Sequence, residues 1–364
     1  MPPLRLGLIG TGLFVQKSHL PALAALEDRF EVRAVCSERG ASAKAVASRL
    51  PSRPIVEPDH RTLLARHDLD VVLVATPIHR TAPIVRDAIV AGKAVISEKP
   101  VAETVAQAAE LLRLGRERGV PHLVAENVRY QGRFLAARAL LEAGRIGRPS
   151  VYQVEVTSRM LPDNPYAASR WRREQYHQGG WLVDSGVHTA AALRQISSAE
   201  PTRVFAVTRS IDPATLGDQP DTLLATIDMD DGSVAHLTHS LAILGRWTNA
   251  LRVSGAEGTL SLLQERRYED GRPRYDDWIE IATDEQTPPE RVALEDSLGG
   301  FRQEWEDFHL ALTTGAPALG IAWEAARDLQ LIDASLASAE RGEAIAIPLE
   351  IAAPWRQKQG PAPS

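Results

Sequence analysis

The stretch LRLGLIGTGLFVQKSHLPAL, residues 4–23, decides the fold class of this chain. Its first six residues, Leu4–Ile9, form an apolar run interrupted only by Arg5 and Gly7, the pattern of a strand buried on both faces. Gly10-Thr11-Gly12 follows at once, and a helical pattern begins at Phe14. A Gly-x-Gly between a strand and a helix is the context that a dinucleotide fingerprint requires. Gly10 permits the tight turn, and Gly12 lets a pyrophosphate approach the backbone at the helix N-terminus. Thr11, Leu13 and Phe14 complete the candidate contact stretch. The third fingerprint position holds Val15 instead of Gly or Ala, so the helix is expected to pack on its strand differently.

Outward from this stretch the pattern repeats. Residues 31–36, 71–75, 94–98 and 122–125 read as further buried strands, alternating with helical patterns at 41–50, 82–91 and 105–118. That alternation predicts an α/β fold with a parallel, doubly wound sheet over residues 1–125. After residue 126 the pattern changes. A helix at 131–143 precedes alternating segments at 151–158, 202–210, 223–229, 233–242, 250–254 and 259–263. Asp231-Gly232 between two of them is a hairpin turn signal. These segments, with helices at 301–312 and 323–341, predict a second α+β domain over 126–350 with a mostly antiparallel sheet; residues 351–364 read as a tail.

Length and composition agree with this division. A chain of 364 residues with 44% hydrophobic residues suits two globular domains. The net charge of −6 carries no basic excess, which argues against nucleic-acid or anionic-membrane partners. No run approaches 18 apolar residues, so no transmembrane helix is expected. The apolar start is short enough to mimic a signal-peptide core, but its turn glycines mark it as folded strand and loop. A single cysteine, Cys36, excludes an intrachain disulfide framework and a cysteine zinc site, so a soluble cytoplasmic protein is expected. Of the basic residues only Lys17, Lys44, Lys93, Lys99 and Lys358 are lysines. A lysine kept in so arginine-rich a chain stands out, because its pKa is tunable.

The candidate chemistry gathers at strand ends. After the second strand an NAD site usually carries an acidic residue for the ribose 2′-hydroxyl. Here Ser37 stands in that place with Arg39 beside it, a pair suited to a 2′-phosphate, so NADP(H) is expected in preference to NAD(H). Glu38 argues the other way. Thr76, Pro77 and His79 follow the third of these strands, and Glu98-Lys99-Pro100 follows the next. Ligands of doubly wound sheets lie at these carboxyl ends. In the second half, Asp184 and His188 are four residues apart at a predicted helix start and share a face. The pair reads either as a carboxylate orienting a general base or as an N-cap with a surface histidine. No third ligand has metal spacing, so no metal site is expected. His236 and His239, three apart on a strand, face opposite sides and read as ordinary. Trp171, Arg172, Tyr176 and His177 are candidates for a substrate wall.

Taken together, GTGLFVQKSHLPAL, the Ala75-Thr76-Pro77 turn followed by AGKAVISEKP, VAENVRY and WRREQYHQGGWLVDSGVH resemble the glucose–fructose oxidoreductase, inositol dehydrogenase and MocA family over roughly residues 4–345. The resemblance implies a Rossmann domain followed by an open-faced sheet, a nicotinamide cofactor, and chemistry on sugars, polyols and related carbonyls. It implies a catalytic lysine at Lys99, an acid/base pair at Asp184 and His188, Glu98 near the nicotinamide, and assembly as homodimers or homotetramers. Two positions depart from the common pattern: Thr81 where many members have histidine, and Ala191 where many have an acidic residue. The form DSGVHTAAALR is similar to an NADP-dependent subgroup related to fungal proteins. The expected function is therefore an NADP(H)-dependent oxidoreductase acting on a hydroxyl or carbonyl of a small polar, sugar-derived molecule. A cofactor-sensing regulator without turnover, or an enzyme that oxidises only transiently to enable elimination or hydrolysis, is the rival.

Overall fold

The protein is described from a computed structural model covering residues 2–173, 179–243, 248–270, 272–294 and 299–351. Six parallel strands form the first sheet in the order β3-β2-β1-β4-β5-β6, with β1 Leu4–Ile9, β2 Phe30–Cys36, β3 Ile55–Val56, β4 Val71–Val74, β5 Ala94–Glu98 and β6 His122–Ala125. Leu6 and Leu8 of β1 are fully buried, as a central strand covered on both faces requires. The order reverses at β1, so the crevice for a ligand opens at the carboxyl ends of β1 and β4. The two-residue strand β3 and the helix His60–Leu64 are too short to leave a periodic signal, and the sequence does not announce them.

Among the described residues nine strands form the second sheet, in the order β14-β13-β12-β11-β7-β10-β9-β8-β15. They are β7 Pro149–Thr157, β8 Pro201–Arg209, β9 Thr222–Met229, β10 Val234–Ser240, β11 Thr248–Gly255, β12 Gly258–Glu269, β13 Arg272–Ala282, β14 Glu290–Leu294 and β15 Ile345–Ala346. Among the described strands only β7 and β10 run parallel; the other pairs are antiparallel. The sheet alternates cleanly. Val204, Ala206, Leu223, Ala225 and Ile227 are buried beneath the helices Gly180–Ser197 and Ala322–Arg341, while Phe205, Val207 and Leu224 between them are exposed. Strands β13 and β14 and the outer half of β12 exceed the expectation from sequence. Their charges hide them: Arg267 of β12 pairs across the ladder with Asp276 of β13, so a polar run is nonetheless a strand.

The division expected at residue 126 does not divide the core. The helix Phe301–Thr314 returns to the first sheet, and its fully buried Trp305 and Phe308 share an apolar cluster with Leu6, Leu8 and Phe30. The final segment therefore binds both layers. Burying such aromatic side chains is worth about 1.5–3 kcal/mol each.

Two histidines are held neutral by this scaffold. Burial pushes His122 down to about 4, and burial, aided by the charges of His188 and Lys99, pushes His239 down to about 4. Both lie below the value of about 6.5 expected in the unfolded chain. Their stabilising effect is complete above pH 6.5 and is lost as pH falls toward 4, because only the unfolded state takes up the proton readily. For His239 the loss is on the order of 3 kcal/mol. Urea unfolding at pH 7.5, 6.0 and 5.0 should show stability falling across this window. His239→Asn, which cannot titrate, should shrink the fall; identical pH slopes for the two proteins would contradict this account.

Candidate active site

The site is built where the carboxyl end of the first sheet meets the N-terminus of the helix Gly180–Ser197. Gly10 closes the turn after β1 with φ of +102°, and a Cβ there would lie 2.1 Å from the carbonyl oxygen of Ala75. No other residue fits. Gly12 opposes this with open space: nothing lies within 4 Å of where its Cβ would be. A blocked turn beside an open cradle at a helix start fits a dinucleotide pyrophosphate. Thr11 is buried and its Oγ1 lies 2.8 Å from Ser42 Oγ. The helix then makes one wide, π-type turn over Val15–His19, starting at the position where the fingerprint expects Gly or Ala. Phe14 meets the rings of His19 and Phe301 edge-on at 5.5 and 5.6 Å.

At the end of β2, Ser37 donates to the Arg39 carbonyl at 2.6 Å and lies 2.8 Å from Ser42 Oγ. Glu38 pairs with Arg80 at 2.8 Å, a cation brought there by the helix Ile78–Val90. Pro77 stands at the N-cap position of that helix, His79 lies in its first turn, and Thr76 Oγ1 lies 3.2 Å from Thr81 Oγ1.

Lys99 follows β5 directly. Its Nζ donates to the Asp184 carbonyl oxygen at 2.5 Å and to Asp184 Oδ1 at 3.1 Å, tying the first sheet to the helix of the second layer. Asp184 also accepts from Arg172, whose Nε lies 2.6 Å from Oδ2. Burial would raise the Asp184 carboxyl, but Lys99 and then Arg172 outweigh it and hold it well below the usual carboxylate range. Arg172 is itself held over the Trp171 ring at 4.0 Å. Lys93, by contrast, donates to the carbonyls of Arg66 and Leu69 and is structural.

One expectation is corrected here. Asp184 does not orient His188, because both its oxygens are taken by the two cations. The partner of His188 is Glu126, whose Oε1 lies 2.6 Å from Nδ1. Glu126 is 2% exposed; burial would raise its carboxyl, but His188, Lys99 and Arg129 hold it below its ordinary value. An ionised carboxylate can only accept, so Nδ1 carries the proton and Nε2 is the bare, accepting nitrogen. Among the described residues Nε2 has no hydrogen-bond partner, and the His188 side chain keeps 31% of its surface. Of the histidines read as ordinary, His236 is exposed and His239 is buried, bonding Ser185 Oγ at 2.8 Å and Thr189 Oγ1 at 2.9 Å.

The structure therefore gathers Lys99, Asp184, His188 and Arg172 and adds Glu126, which the sequence does not single out. The rule that marks Lys99 marks Glu126 equally, since it directly follows β6. Glu98 also lies at this edge, bonded to His19. Tyr176 and His177 lie outside the described residues. No group of three His, Cys, Asp or Glu side chains that could hold a metal occurs among the described residues, and no described helix is long and apolar enough to cross a membrane.

Comparison with known proteins gives the same outline. Residues 4–126 match the model of an oxidoreductase family with an NAD-binding Rossmann fold, and residues 134–261 match a GFO/IDH/MocA C-terminal domain. A D-apiose dehydrogenase of Paraburkholderia graminis is 30% identical over 268 residues, 72% of this chain and 68% of that protein. A dTDP-3,4-didehydro-2,6-dideoxy-alpha-D-glucose 3-reductase of Saccharopolyspora spinosa is 29% identical over 260 residues, 71% and 74% of the two chains. The structure of an oxidoreductase from Thermotoga maritima superimposes with a TM-score of 0.83 at 29% identity, covering 95% of this chain and 98% of the other. With its fingerprint turn, its Lys99 bridge and these matches, the chain belongs to the GFO/IDH/MocA family of NAD-binding oxidoreductases.

Proposed function

We propose that this protein is an NADP(H)-dependent oxidoreductase that interconverts a hydroxyl and a carbonyl on a small, sugar-derived molecule. The observation that carries this reading is the convergence of Lys99 and His188 from two separate layers, each oriented by its own buried carboxylate, Asp184 and Glu126. A nicotinamide, when bound, exchanges the hydride with the substrate carbon. In the oxidative direction His188 Nε2 takes the hydroxyl proton, and Glu126 stabilises the imidazolium that results. Lys99 donates a hydrogen bond to the reacting oxygen and stabilises the negative charge it develops. Reduction reverses both roles. The sugar class is inferred from the two relatives above, which are named for an apiose and a deoxyglucose nucleotide. Trp171 and Arg172 supply the polar and aromatic wall such a molecule needs.

NADP(H) in place of NAD(H) is supported by Arg39 and by the capture of Glu38 by Arg80, which turns the one acidic candidate toward a cation. The open face of the second sheet supports pairing with a second copy. Phe205, Val207 and Leu224 are 38–47% exposed there, and Val207 and Leu224 are direct cross-strand neighbours. A single species of monomer mass in sedimentation at micromolar concentration would defeat that part.

A turnover screen of sugars, sugar lactones and small aldehydes, followed by nicotinamide absorbance, tests the reading as a whole. On a converted substrate, Lys99→Arg should lower turnover by roughly 10²–10⁴-fold, since arginine keeps the charge but is bulkier, planar and unable to release its proton. Cofactor affinity should change only about a few-fold, because the fingerprint turn at Gly10 and Gly12 holds the pyrophosphate. Near-normal turnover of Lys99→Arg would reduce the lysine to a structural bridge. Glu126→Gln should cost about 10²–10⁴-fold as well, by removing the anion that supports the imidazolium. Arg39→Ala should weaken NADPH binding about tenfold or more, the loss of one charge-assisted contact of roughly 1.5–3 kcal/mol, with NADH little changed. Wild-type protein that binds NADH more tightly than NADPH would overturn the cofactor assignment.

A further inference from the structure

Beside Lys99 lies a second, largely buried chain of hydrogen bonds that the chemistry above does not use. Trp305, on the helix Phe301–Thr314, places its indole Nε1 3.0 Å from His19 Nδ1. The opposite ring nitrogen, His19 Nε2, lies 2.5 Å from Glu98 Oε1. The second carboxylate oxygen, Oε2, accepts from the backbone N–H of Lys99 at 3.2 Å. An indole nitrogen only donates, so His19 Nδ1 must be the bare, accepting nitrogen. The ring proton is thereby fixed on Nε2, where it can only be given to Glu98. We propose that Trp305 and His19 are positioning residues that lock Glu98 beside the catalytic lysine. This assignment rests on the active-site reading given above.

Three features make the chain more than packing. His19 and Trp305 are both 0% exposed, so no water competes for either ring nitrogen. Phe14, Phe301 and Trp305 meet the His19 ring edge-on at 5.5, 6.4 and 5.7 Å, leaving no room for a flip. The wide turn over Val15–His19 is a local departure from regular helix geometry, and His19 is its last residue. The neighbouring Glu304 is also fully buried, and its carboxyl oxygens have no hydrogen-bond partner among the described residues. Burial, then Glu98, Glu126 and Asp307, push its carboxyl well above the ordinary value. Glu304 is thus held neutral and does not rival Glu98 as the anion facing His19. The consequence is a long-range dependence: a helix some two hundred residues downstream sets the orientation of the carboxylate at the end of β5.

The test begins without turnover. Full-length protein labelled with ¹⁵N-histidine should show, by ring-nitrogen NMR, His19 held as the Nε2–H tautomer, its signals identified by their absence in His19→Gln. Trp305→Phe keeps an aromatic ring but removes the donor, and should give that histidine a mixture of tautomers. On a converted substrate the same variant should lose kcat by about ten- to a hundredfold, with KM and NADPH affinity changed only a few-fold. His19→Gln, whose amide nitrogen reaches the place of Nε2, should recover kcat to within about threefold of wild type, whereas His19→Asn, one methylene shorter, should not. An unchanged tautomer in Trp305→Phe, or equal losses in His19→Gln and His19→Asn, would overturn the proposal. Failure of the active-site reading is seen separately: Lys99→Arg would then turn over normally while the tautomer experiment still decides the relay.

Discussion

Two cations converge on one buried carboxylate, and the arrangement of the molecule follows from that. Asp184 is 5% exposed and could not remain charged there alone, since an unpaired buried anion costs several kcal/mol. Lys99 arrives from the end of β5 and Arg172 from the short helix Arg170–Arg173 before the glycine pair. Both must be present for the carboxylate to be tolerated, and both are thereby held at the mouth of the crevice. The pair also couples the layers, because Lys99 cannot reach the Asp184 carbonyl unless the helix Gly180–Ser197 starts where it does. That start depends on Gly179, whose φ of +77° and nearby Val183 leave no room for a Cβ.

The same logic recurs deeper in the second layer. Arg194, on the helix that carries Asp184 and His188, is 5% exposed and binds Glu200, Glu324 and Asp328. Asp328 in turn binds Arg129, three residues beyond Glu126. Buried ion pairs of this kind contribute little net stability, since desolvation offsets their attraction. Their directionality is what counts: they fix the rotation of the helix Gly180–Ser197 against the segment bearing Glu126, and so the contact between His188 and its carboxylate. The site is therefore held by polar constraints that an apolar interface, indifferent to small rotations, would not supply.

The relation between Glu126 and His188 shows where sequence reading stops. Asp184 and His188 share a helix face at the right spacing, and from spacing alone their pairing is the economical expectation. It fails because a carboxylate bonds the strongest donors within reach, and an ammonium and a guanidinium outcompete an imidazole. The actual partner lies 62 residues away in sequence, on another strand end. His19 is a parallel case. It stands inside the quoted fingerprint stretch, yet its role depends on an indole 286 residues distant.

What the sequence by itself determined is whatever local periodicity and turn chemistry govern: the parallel sheet with its Gly10 and Gly12 turn, the antiparallel second sheet with its Asp231-Gly232 hairpin, and the position of Lys99 at a strand's carboxyl end. These follow from steric limits on short stretches and from the alternation of buried and exposed positions. The tertiary structure alone decided which acid serves which base, that Arg80 captures Glu38, and that the helix Phe301–Thr314 belongs to the first sheet's core. Hydrogen bonds and ion pairs are short-ranged and selective, so a displacement of one or two ångströms reassigns a partner without disturbing the hydrophobic pattern. Periodicity in a chain records the face on which a residue lies; only the folded geometry sets the distance to the group it meets.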